Sequence, residues 1–240
     1  MIEDNRSTIG CEEHYKHLYD KCGEILIASF GEDGNLQSES HSFVLDFEKW
    51  IYVLADRPEV VLFKAALREY QFALLSVVLG HYRQAFMGLR MFLEQCIAGV
   101  HFSACEIELR IWLRGERSIV WDSLVNSENG VFSSRFAKAF CQNLAEYSAE
   151  YGSIAKKLYH ECSEYVHGNP NTSANLPEQL TYSAEVFADW HEKARNIRLV
   201  ISYALALRYL PFLDVLSRST LESVVTDVLG HIETIRSFFC

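Results

Sequence analysis

The chain has 240 residues, 49% of them hydrophobic and 13% aromatic, and a formal net charge of −10. That length suits one large domain or two small ones, with ample apolar material for a core. The acidic balance and the lack of any Lys/Arg block exclude broad, non-specific duplex binding, which rests on phosphate neutralisation.

The acidity is uneven. Residues 1–60 carry 13 acidic and 5 basic side chains, and the other 180 carry 19 and 17. Seven cysteines lie along the chain without CxxC pairing. An odd number cannot pair completely within one chain, so reduced thiols in a cytoplasmic protein are expected. No uninterrupted apolar run reaches 18 residues and no signal peptide is read before residue 30, so the expectation is a soluble protein with no membrane partner.

Only four prolines and twelve glycines interrupt the chain, and residues 43–114 and 184–213 are long apolar stretches with few breakers. Both facts point to helices. In chain order, residues 1–11 read as a loose acidic start and 12–29 as a first helix. The segment GEDGNLQSESHS at 31–42 reads as a polar linker, and 43–55 as an amphipathic helix. Pro58 suits the first turn of the next helix. Residues 58–113 are continuously helical in pattern, too long for one ordinary helix. Gly80 or Gly99 is expected to divide it or to mark close packing. LRGERS at 113–118 is a turn, 119–125 a short helix and NSENG at 126–130 a break. The next helix starts near Ser133 or Ser134, with Ser134 as a candidate cap, and runs with interruptions to His167. Residues 168–182 read as a loop, 183–209 as a helix broken at Pro211, and 218–239 as a terminal helix. The expectation is an all-α, multi-helix bundle of seven to nine helices. Its division is an acidic N-terminal helix and linker at 1–42 and a bundle domain at 43–240. The apolar belts of 184–209 (Ile197, Val200, Ile201, Ala204, Leu207) and 218–239 (Leu221, Val224, Val225, Val228, Leu229, Ile232) suit either core or a homodimer interface.

Two polar groupings stand out. His160, Glu164 and His167 recur at i, i+4 and i+7, within about 60° on a helix that ends at Gly168. Arg83, Arg90 and Glu94 lie within about 40° of one another, flanked by Phe86, Ile97, Met91 and Ala98, with Met87 in the same stripe. Arg90 and Glu94 are spaced to pair. The two arginines outnumber Glu94, so Glu164 or an anionic ligand is expected to complete the set, since a buried charge needs a partner. Three readings of the histidine cluster follow. His167 acts as general acid or base, with an arginine holding a phosphate and Glu164 or Glu94 orienting an imidazole. Alternatively, His160, Glu164 and His167 hold a metal ion. Or the cluster is structural and anchors the helix exit at 168–171. No cofactor-binding fingerprint occurs in the chain.

The segment 159–168 (YHECSEYVHG), preceded by HYRQAFMGLRMFLEQCIAG at 81–99, resembles the HEPN-like helical proteins of prokaryotes. The resemblance spans about residues 60–210. It implies a compact helical bundle that commonly dimerises, in toxin–antitoxin, CRISPR and antiphage systems. Many members are metal-independent endoribonucleases, and others bind RNA or nucleotides or scaffold a partner. The ribonucleases carry an arginine four to six residues before a histidine. That histidine maps to His167, and positions 160–162 hold His160, Glu161 and Cys162 in place of the arginine. The family's supporting polar residue on an earlier helix maps best to Glu94, with Arg90 and Arg83. The expected function is RNA metabolism or antiphage defence. His167 and His160 would be the acid/base pair, Arg90 or Arg83 the phosphate clamp, and Glu94 and Glu164 the orienting residues. RNA is the expected substrate, and a second copy or a protein from the same operon the expected partner. The alternative is a non-catalytic interaction subunit of a defence or regulatory complex.

Overall fold

The computed structural model describes residues 10–239. Helix α1 runs Cys11–Val53, bent at Asp33, where φ of −128° and ψ of 28° leave the helical region. The expected linker at 31–42 is therefore helical, and position 42/43 lies inside unbroken helix. Three of its polar side chains, Asp33, Glu39 and Ser40, find tertiary partners. Gln37 and Ser40 are buried. Ser40 Oγ lies 2.7 Å from His191 Nδ1, and its carbonyl accepts from Tyr70 Oη at 2.9 Å. Glu39 takes a bidentate bond from Arg195 at 3.0 and 3.1 Å. At the bend, Asp33 accepts from Tyr182 Oη at 2.5 Å. Most of the expected loose start, residues 1–9, lies outside the described residues.

Helices α2 (Val60–Val78) and α3 (Tyr82–Phe102) form an antiparallel hairpin. Gly80 makes the turn at φ +77°, a left-handed conformation that suits glycine. Gly99 lies inside α3, where an added Cβ would come within 2.6 Å of the Phe63 ring. The first glycine divides the apolar run and the second permits close packing. A further break, at Ser103–Cys105, precedes α4 (Glu106–Leu113).

The chain continues through α5 (Trp121–Leu124), α6 (Ser134–Phe140), α7 (Ser148–His167), α8 (Pro170–Ala174), α9 (Ala184–Tyr209), α10 (Val215–Leu229) and α11 (Glu233–Arg236). Ser133, not Ser134, caps α6, its Oγ accepting from the Phe136 amide at 3.1 Å. Gly168 ends α7 at φ +67°, and Pro170 opens the short α8 within the expected loop. The terminal helix stops at Leu229 rather than running to 239, because the chain turns through Gly230 and His231 before α11.

The architecture is all-α and multi-helical, with no strand among the described residues. Among them no helix is long and apolar enough to cross a membrane, and the six described cysteines are free. Helix α3 sits between α2, α7 and α9, and α9 also packs on α1 and α10. Where α1, α2, α3 and α9 meet, the core is aromatic. Phe47 lies 5.4 Å from Phe92, and Phe43 lies 5.7 Å from Tyr70, both edge to face. Each such ring contributes about 1.5–3 kcal/mol through burial. The belts of α9 and α10 belong to this core. Ile197, Val200, Ile201, Ala204 and Leu207 are buried, as are Leu221, Val224, Val225, Leu229 and Ile232, while Val228 is half-buried. They are not available as an interface, because other helices of the same chain already cover them.

A candidate groove along α7

Helix α7 buries Ala155, Leu158, Cys162 and Tyr165. That i, i+3, i+7, i+10 pattern sends the polar positions between them outward. Lys156, Tyr159, His160, Ser163, Glu164 and His167 line an open groove of about 630 Å³. Arg90 of α3, Trp121 and Asp122 of α5, and Val125 complete it.

Its floor is a layered stack. The Tyr159 ring lies parallel to Trp121, 4.0 Å between centroids. The Arg90 guanidinium is 4.7 Å from the Tyr159 ring centroid and donates to Tyr159 Oη at 2.5 Å. Tyr159 Oη donates in turn to Glu94 Oε1 at 3.4 Å, and Arg90 Nη2 stands 3.9 Å from Glu94 Oε2. The side chains of Arg90 and Glu94 are 22% and 12% exposed. Burial raises the Glu94 carboxyl above the ordinary range, opposed by Arg90 and by the Tyr159 bond. Burial also raises the Tyr159 hydroxyl, against the hydrogen bond from Arg90. Arg90 Nε is buried without a hydrogen-bond partner.

The rim is wet. His160 and His167 are exposed, and His160 Nε2 stands 3.8 Å from Glu164 Oε1. Asn169 Nδ2 donates to the other Glu164 oxygen, which ties the carboxylate to the helix exit. Ser163 Oγ donates to its own helix at the Tyr159 carbonyl, 2.6 Å away. Among the described residues, no three His, Cys, Asp or Glu side chains converge as a ligand set for a metal ion.

Five of the six expected site residues thus gather around the floor and rim: Arg90, Glu94, His160, Glu164 and His167. Arg83 does not join them. It is exposed and borders a separate groove of about 200 Å³ with residues 176–180. Seven residues of helix carry it about 10.5 Å along the α3 axis from Arg90. The stripe it belongs to also runs along the margin of an apolar face rather than its middle. Phe86, Ile97 and Ala98 are buried, but Met87 and Met91 are 38% and 36% exposed. Tyr165 points away from the groove and stacks on Phe86 at 3.9 Å. Cys162 is buried, its thiol pushed up to about 12 by burial, and it does not line the groove.

Sequence reasoning missed Lys156, Asp122 and Trp121 as groove residues; Trp121 is buried in the core and also lines the groove. Lys156 lies one turn before His160 on the same face, so the helical spacing that found the histidines also carries it. Trp121 and Asp122 come from a four-residue helix whose position only the tertiary fold sets. The result is a polar rim with two imidazoles, Lys156 and the carboxylates of Asp122 and Glu164, over a half-buried arginine held by an aromatic stack. Comparison with protein-family models, with curated proteins and with solved structures finds no match for this chain.

Proposed function

We propose that this chain is a HEPN-like, RNA-directed protein of RNA metabolism or antiphage defence, and that the α7 groove is a metal-independent endoribonuclease site. The observation that carries the reading is the shared groove: two exposed imidazoles and Lys156 beside the half-buried Arg90. His167 takes the proton of a 2′-hydroxyl, which attacks the adjacent phosphorus. A protonated imidazole returns a proton to the leaving 5′-oxygen. Lys156 and Arg90 offset the charge that gathers on the phosphate oxygens. Glu164, 3.8 Å from His160, orients that ring. His160 and His167 are two turns apart, about 10.5 Å of helical rise. The reading therefore includes a homodimer in which a second copy supplies the facing imidazole to each phosphodiester.

The test is cleavage of varied single-stranded RNAs in the presence of a chelator, by wild type, His167→Ala and His160→Ala. Cleavage lost in His167→Ala, with an unchanged melting temperature, is the expected result. Equal inactivity of all three on every RNA sinks the enzymatic reading.

A second reading has its own support: Arg90 is engaged by Tyr159 and Glu94, and no arginine stands at 160–162. On that reading the chain is a non-catalytic interaction subunit, and its co-purification with a protein from the same operon is the discriminating result.

A further inference from the structure

Away from the groove, a thiol and an imidazole face each other where α1 crosses the α2–α3 turn. Cys22 Sγ lies 3.7 Å from His81 Nε2. Both backbones are held in place. Ile25, one turn beyond Cys22, packs against Gly80, where an added Cβ would sit 3.0 Å from Ile25 Cδ1. His81 donates its amide to the Ser76 carbonyl at 2.9 Å and directly precedes the first residue of α3. The other described thiols differ. Cys96 and Cys162 are fully buried, Cys141 is nearly so, and Cys105 is half-buried beside Glu108, whose charge and the burial both raise its thiol. Cys22 is half-buried and His81 exposed, so a small reagent can reach the pair from outside. The imidazole also borders the groove of about 200 Å³ along residues 176–180.

We propose that Cys22 and His81 form a thiol–disulfide exchange site, a modification site for low-molecular-weight disulfides. His81 Nε2, with the ring proton on Nδ1, accepts the Cys22 thiol proton. The thiolate attacks one sulfur of the disulfide. A Cys22–sulfur bond forms, the disulfide's own S–S bond breaks, and the second sulfur leaves as a thiolate that takes the proton back from His81. Cys22 is oxidised, the leaving sulfur is reduced, and the incoming disulfide is the oxidant. A thiolate rather than a thiol is the attacking species, and that gives the imidazole its role.

The experiment uses the full chain, glutathione disulfide as the probe, and mass spectrometry that reads each cysteine separately. Cys11 is exposed and serves as the internal reference, so the first comparison needs no variant. Cys22 is expected to form its mixed disulfide about tenfold faster than Cys11. His81→Gln is expected to bring the two rates together while leaving the Cys11 rate unchanged. Equal rates in wild type, or a Cys22 rate that His81→Gln does not alter, overturn the proposal. Should His81→Gln fail to fold, the wild-type ratio alone decides.

Discussion

The aromatic core around Phe47 and the groove around Tyr159 use the same materials to opposite ends. In the core, buried hydroxyls reach partners over long sequence separations: Tyr70 to the Ser40 carbonyl at 2.9 Å, Tyr209 to Glu59 at 2.9 Å, Tyr203 to the Leu144 carbonyl at 2.7 Å. These three hydroxyls are matched inside the protein, as burial requires. In the groove, the Tyr159 hydroxyl also has partners, but they are charged and half-buried, and the next residue along the helix faces water. The core spends aromatic rings on exclusion of solvent. The groove uses them to hold an arginine at the boundary where solvent, or an anion, can meet it.

Three substitutions probe that contrast, in decreasing order of effect. Phe47→Ala removes a ring with no exposed surface that touches Phe43, Phe63 and Phe92. A loss of about 3–5 kcal/mol is expected in urea denaturation. A loss under about 1 kcal/mol would show that the core collapses around the gap and is less tightly specified than its geometry implies.

His191 tests the core's tolerance for charge. Its ring is buried, with centroids 4.4 Å from Phe187 and 4.8 Å from Trp190, and burial pushes it down to about 4, with Glu39 and Asp33 pulling up and Arg195 down. The folded state therefore holds fewer protons than the unfolded chain between about 4 and the ordinary value of 6.5. The contribution is complete above that window and is lost as pH falls through it, by at most about 3 kcal/mol. His191→Gln cannot titrate, so the stability gap between it and wild type should shift in its favour from pH 7 to pH 4. A gap constant with pH would mean that the ring is hydrated.

The smallest effect belongs to the groove. Tyr159→Phe keeps the stack on Trp121 but deletes the hydroxyl between Arg90 and Glu94. A cost of about 1–2 kcal/mol is expected, read from thermal melts. No cost would place Arg90 and Glu94 in water already and erase the distinction between floor and rim.

Much of this architecture was legible before any coordinates. The scarcity of proline and glycine announced helices, and both readings of the glycines at 80 and 99 describe real features, a turn and a close approach. The helical spacing of His160, Glu164 and His167 put them on one outward face. What escaped was set by distant partners. Residues 31–42 look like linker because so many of them are polar, yet Arg195 and His191 of α9 satisfy Glu39 and Ser40 about 150 residues later. Trp121 and Asp122 lie on the short helix expected at 119–125, but only the tertiary fold brings that helix to the groove. Arg83 belongs to the same wheel position as Arg90, but a wheel has no axial coordinate, and the axial offset is what separates them.

The α2–α3 hairpin also bears on the order in which the molecule assembles. Gly88 meets Ala73, only fifteen residues away in the chain, with 2.7 Å left for an added Cβ. Ser40 meets His191 across 151 residues. Closing the longer loop costs about 2 kcal/mol more chain entropy than closing the shorter one. The hairpin is therefore the natural nucleus, and the docking of α1 onto α9 a late event that waits for most of the chain to be present.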